Sequence, residues 1–211
     1  MAPLRGAIRH LAAATRWAII VGAGGLVVGA VALVARWPAE LWPLHGAALG
    51  LVIGASAVAV DERCAAVVDV APRPLWWRTA VRAVGPLALV TIWIAAHGAA
   101  RDGLPDHLDV LVLQGAVAAL IGFGLATTAR AAGRAEPGTA LAATAVPLLA
   151  ATALARPFEA DLPVFPVWPH EDWGRATRLW ALAGGAVAIV TARALWRDAR
   201  HGPPGRRRLR R

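Results

Sequence analysis

The chain has 211 residues, 58% of them hydrophobic and 17% charged, with a mean hydropathy of +0.55; this leaves too little polar surface to clothe a soluble domain and marks an integral membrane protein. Its formal charge of +9 rests on 22 basic residues, all arginine. The lack of lysine excludes a P-loop, whose lysine holds nucleotide phosphates, and any Schiff-base enzyme.

In chain order, residues 1–16 carry Leu4, Ile8, Leu11 and Thr15 on one helical face and Arg5, Arg9 and Arg16 on another. That pattern predicts an interfacial amphipathic helix rather than a signal peptide, since no small-residue cleavage site and soluble domain follow. Six apolar runs come next, at residues 17–35, 41–60, 83–100, 110–129, 137–155 and 179–196. Each approaches the length that crosses about 30 Å of hydrocarbon as a helix. Pro147 is expected to kink the fifth, and Arg193 to snorkel from the sixth toward the headgroups. The predicted fold is all-α, a polytopic membrane protein forming one transmembrane domain. It has an interfacial helix at 1–16, a six-helix bundle at 17–196 and a basic tail at 197–211.

Seventeen of the 22 arginines fall on the side shared by residues 1–16, 61–82, 130–134 and the C-terminal tail. The other side receives Arg36, Arg101, Arg156, Arg175 and Arg178, so the positive-inside rule places both termini in the cytoplasm. Tryptophans mark the boundaries: Trp17, Trp76, Trp77 and Trp196 at the inner edge, and Trp37, Trp42, Trp168, Trp173 and Trp180 at the outer. Only Trp93 lies well inside a span. Arginines clustered at the ends of apolar runs are explained by topology, and nucleic acid is not an expected partner. The single Cys64 forms no intramolecular disulfide. Gly25 and Gly29 in span one, and Gly46, Gly50 and Gly54 in span two, recur every four residues. Such faces permit close backbone approach, so these two spans are expected to touch through them.

The longest polar interruption on the predicted cytoplasmic side is residues 61–82, DERCAAVVDVAPRPLWWRTAVR. Asp61 and Glu62 suit the start of a short helix, where carboxylates accept bonds from free amides. Pro72 and Pro74 would stop that helix before Leu75 begins the next. Trp76, Trp77, Arg78 and Arg82 then anchor the segment at the headgroup layer. It is either a docking surface for a soluble partner or a well-anchored connecting loop.

Catalytic patterns are scarce. Ser56, the chain's one serine, sits in GASA rather than in a nucleophile-elbow setting. The spans hold no carboxylate to relay protons. His45 and His97 lie near outer span ends instead of facing each other at depth, so haem and other cofactors are not expected, and the chain is not read as an enzyme. Outer loops gather His97, Asp102, Asp106, His107 and Asp109, and separately His170, Glu171 and Asp172. These residue types suit divalent metals, but the spacing matches no defined site, and the reading is an acidic outer rim with no metal. Few polar groups beyond Thr91, Gln114, Thr127, Thr128 and Thr144 are offered by the spans to line a path. Residues 156–178, with four prolines and two tryptophans, are expected to lie along or dip into the outer interface.

Taken together, the interfacial N-terminal helix, six spans with both ends inside, the polar segment after span two and the amphipathic outer segment after span five resemble a type V ABC exporter permease. The resemblance covers nearly the whole chain, and the chain is short for that family. It implies that the loop between spans two and three holds a coupling helix docking on a separate cytoplasmic ATPase subunit. It also implies that two permease subunits pair, as a homo- or heterodimer, in a bacterial plasma membrane. Carried over, the partner-binding residues are Asp61, Glu62, Val67, Val68, Val70 and Arg73, with Trp76, Trp77 and Arg78 holding the segment to the bilayer. A hydrophobic substrate would suit such apolar walls. The rival reading, which nothing in the residues excludes, is a non-transporting membrane scaffold or assembly subunit.

Overall fold

A computed structural model describes residues 16–62, 75–155, 164–166 and 173–201. The described residues are helical apart from short turns. The helices are α1 (Trp17–Arg36), α2 (Pro38–Leu41), α3 (Pro43–Val58), α4 (Leu75–Arg82), α5 (Val84–Ala99), α6 (Leu108–Ala131), α7 (Pro137–Ala155) and α8 (Trp173–His201). A single 3-10 turn, Arg101–Gly103, follows α5. Five of these stretches are long and apolar enough to cross a membrane: α1, α4 with α5 as one run Leu75–Ala99, α6, α7 and α8. The expected second span is shorter, since α3 has 16 residues. The third begins earlier than expected because the tryptophan- and arginine-bearing turns of α4 lead almost directly into α5. α2 and α3 each open on a proline, whose missing N–H costs nothing in a first turn. The helix of α7 continues through Pro147. The expected interfacial helix lies outside the described residues, as do Val67, Val68, Val70, Arg73, Cys64 and the end of the tail.

α3 is the centre of the bundle although, at 16 residues, it is no longer than α5 and shorter than α1, α6, α7 and α8. Leu49 and Val52 are wholly buried, packed among Val27 and Val31 of α1, Trp93 of α5, and Val117 and Ala118 of α6, and Ala57 is wholly buried beside Ala126 of α6. α7 lies along α3 in the most extensive pairing, and α8 packs chiefly on α6. Residues pointing away from this core, such as Leu26, Leu148 and Leu182, are more than 60% exposed. In a bilayer these faces meet hydrocarbon at no cost, so close contact between helices, rather than exclusion of water, selects the packing.

The glycine expectation needs correction. Gly46, Gly50 and Gly54 face α7, not α1: added Cβ atoms would meet Ala153, Leu149 and Val146. Gly25 and Gly29 of α1 face open space. α1 and α3 do touch, but through Ile20, Ala23, Val27 and Val31. A side chain has to clear the facing helix wherever backbones come closest. The closest approaches are α3 with α7 and α3 with α6, where Gly122 abuts the Ile53 carbonyl.

Candidate functional site

Below the last turn of α3, the Ala57 and Val58 carbonyls accept from Val60 and Asp61 N–H, at 3.0 and 3.1 Å. This turn drops Asp61 and Glu62 under the bundle. Asp61 serves a helix whose first free amide, that of Gly138, comes 77 residues later. Its Oδ1 accepts from Gly138 N–H at 2.7 Å, and its Oδ2 from Thr139 N–H at 2.8 Å and Thr139 Oγ1–H at 2.6 Å. α7 opens on Pro137, which has no N–H, so its free amides start at Gly138, and a carboxylate there also complements the helix dipole. Gly138 has to lack a side chain, because a Cβ would run into the Ala57 carbonyl.

Glu62 is held by three arginines from two elements. Arg78 Nη1 donates to Oε2 at 2.8 Å, Arg130 Nη2 donates to the same oxygen at 2.9 Å, and Arg82 Nη2 lies 3.0 Å from Oε1. Arg82 also donates through Nη1 to the Val60 carbonyl at 2.6 Å. Arg78 and Arg82 are four apart and therefore share one face of α4, while Arg130 is in the last turn of α6. Asp61, Glu62 and the three arginines are each at most 6% exposed. Charged hydrogen bonds of this kind are short and strong, and removing one partner strands the others out of water.

These placements revise the expected roles. Among the described residues, the Asp61 carboxylate accepts from the start of α7 and that of Glu62 meets three arginines; the expected helix directly after them lies outside the described residues. Arg78 is turned inward to Glu62 instead of outward to headgroups, while Trp76 is about half exposed, as an interfacial anchor would be. Trp77 is half-buried. Arg82 and Arg130 were not singled out from sequence as partners of Glu62. The signal was the i, i+4 arginine pair on α4, with Arg130 ending a span at the same depth.

The opposite end of the bundle holds an aromatic cluster. His45 Nε2 pairs with Gln114 Oε1 at 2.8 Å. Its ring stacks on Trp42, with centroids 5.0 Å apart, and meets His97 edge-on at 5.6 Å. His97 Nδ1–H donates to the Trp93 carbonyl at 2.9 Å, which fixes its tautomer, and Trp93 Nε1 donates to the Leu111 carbonyl at 2.7 Å. Trp42 Nε1 donates to the Pro166 carbonyl at 2.5 Å, holding residues 164–166 at the start of α3. His45, His97 and Gln114 are buried. Sequence placed both histidines near outer span ends but did not foresee their meeting, because the depth of His45 depends on the short length of α3.

His97 is thereby separated from the loop acids it was grouped with, for Asp102 points into solvent beside Arg101. Among the described residues no three His, Cys, Asp or Glu side chains gather as metal ligands. His170, Glu171 and Asp172 lie outside those residues. Of the expected polar lining, the hydroxyls of Thr91, Thr128 and Thr144 bond to carbonyls of their own helices. Gln114 belongs to the aromatic cluster and Thr127 is buried. In comparisons with protein-family models, curated proteins and solved structures, nothing matches the chain.

Proposed function

We propose that the chain is the transmembrane permease subunit of an ABC-type exporter in a bacterial plasma membrane. Residues 61–82 couple it to ATP hydrolysis on a separate cytoplasmic ATPase chain. The observation that supports this reading is the Glu62 node. It joins the two ends of the coupling segment to each other through Arg78 and Arg82, and to α6 through Arg130, while Asp61 joins them to α7. A partner moving the apex of this segment therefore moves α3, α4, α6 and α7 together. Packed cores pass on such displacements as rigid bodies because they are not continuously deformable.

The lysine-free chain has no nucleotide site of the P-loop kind, so the energy has to arrive from another polypeptide. The threonines at 91, 128 and 144 are bonded within their own helices, so they offer little to a polar path through one protomer. The substrate route is placed between two permease subunits, with both termini in the cytoplasm by the arginine distribution. Val67, Val68 and Val70 are the groove-filling residues of the docking face.

Replacing Val67 and Val68 together by Asp buries unpaired charge at the docking contact, a cost of several kcal/mol. The expected outcome is loss of ATPase copurification with membrane insertion intact. Should no ATPase copurify with the native protein, or should the double variant keep it, the scaffold reading takes over.

A further inference from the structure

Between the outer helices the bundle does not close. α7 packs chiefly on α3 and α8 on α6, leaving a groove of about 430 Å³ whose wall is apolar almost throughout. It runs past Ile121 and Leu125 of α6, Leu141 and Leu148 of α7, and Leu179 and Ala183 of α8. We propose that this groove seats one acyl chain of an anionic phospholipid drawn from the leaflet on the arginine-rich side.

Four features select that occupant. The wall offers no hydrogen-bonding group of consequence, so a polar ligand would lose its hydration without replacement. The volume is too small for a helix: one about 10 Å across needs about 1,200 Å³ for a 15 Å length. An acyl chain, a string of methylenes each about the size of a water molecule, suits an apolar groove of this volume. The groove is stoppered at its outer end, where Val164 lies in its wall and Trp180 Nε1 donates to the Val164 carbonyl at 3.0 Å. The tail enters along the groove's open side, where Leu148 is 63% exposed, and runs toward the unstoppered end, where Leu141 lies one turn into α7. At that end Arg134 follows α6, and Arg193 and Arg200 lie on the last turns of α8, all three exposed. Each arginine near an anionic surface contributes about 1 kcal/mol of attraction, which favours a negatively charged headgroup.

This site does not depend on the exporter reading, and its test needs no ATPase. The full chain is reconstituted into vesicles of phosphatidylglycerol or of phosphatidylcholine, each with a photoactivatable group in the acyl chain, and the labelled residues are mapped. Label is expected to concentrate in residues 121–125 and 141–149, several-fold above the exposed α1 positions Leu26 and Leu33, and to be several-fold greater from phosphatidylglycerol. Ala145→Trp, which fills the groove from α7, should remove this label and spare that on α1. Ala183→Trp does the same from α8 should the first variant fail to fold. Label spread evenly over α1, α7 and α8 would mean annular lipid only and overturns the proposal. So does equal labelling from the two lipids, or groove labelling that survives the tryptophan.

Discussion

At the scale of single residues, Asp61 and Glu62 are neighbours with different duties, and their substitution should separate them. Asp61 satisfies the free amides at the start of α7, so Asp61→Ala removes an N-cap and is expected to cost about 1 kcal/mol, with an upper bound of about 2. Glu62 is the shared counter-charge of three buried arginines. Glu62→Ala removes the carboxylate that three buried guanidinium groups share and is expected to cost about 3–5 kcal/mol. Arg82→Ala leaves the carboxylate with Arg78 and Arg130 and should cost less. Thermal unfolding in detergent should rank the variants Glu62→Ala, Arg82→Ala, Asp61→Ala from least to most stable. An Arg82→Ala midpoint below that of Glu62→Ala would show that the node is not organised around the carboxylate. The importance of Asp61 and Glu62 was legible in the sequence, because acids directly after an apolar run are rarely idle. Their partners were not. A carboxylate that caps a helix at an amide 77 residues away obeys the same electrostatics as one that caps its own, and only the packing of α7 against α3 decides between them.

At the scale of helices, glycine carries opposite meanings on the two sides of the bundle. Gly122 stands against the Ile53 backbone and Gly138 against that of Ala57, and backbone yields far less than a flexible side chain. Gly122→Ala and Gly138→Ala should each destabilise by about 1–3 kcal/mol through overpacking. Gly25 and Gly29 face open space, so alanine there removes only the entropic penalty of glycine in a helix and should stabilise by up to about 1 kcal/mol. Unfolding midpoints that fall for the first pair and hold or rise for the second would confirm the α3–α7 and α3–α6 seams. A fall at Gly25 equal to that at Gly122 would place a partner on α1 instead. The helices themselves were readable from unbroken apolar runs, and residues 137–155 coincide with α7. Their neighbours were not, because every span offers small residues at four-residue spacing and periodicity alone does not choose among them.

At the scale of the whole molecule, the open matter is whether α3 crosses the membrane, since its 16 residues fall short of an ordinary span. Its neighbours supply the measure. One layer holds His45, His97 and Gln114, brought together by ring contact and hydrogen bonding, and the other holds Val60, Arg82 and Arg130, gathered around Glu62. At 1.5 Å per residue, His45 to Val60 and Arg82 to His97 each cover about 22 Å and Gln114 to Arg130 about 24 Å, so α3 reaches between the same two layers as α5 and α6. Parity agrees. Arg16, just before α1, lies 3.8 Å from Glu136, just before α7, which puts both at one end and requires an even number of crossings between them. With α3 counted, α1, α3, α4–α5 and α6 make four. In a Cys64→Ala background, single cysteines at Ala39 and at Gly174 should therefore react with a membrane-impermeant thiol reagent in intact cells, while one at Gly133 should react only after lysis. If α3 merely lay within the bundle without crossing, Ala39 and Gly133 would share a side and react alike. That result would remove both the six-span arrangement and the cytoplasmic position of residues 61–82 on which coupling depends.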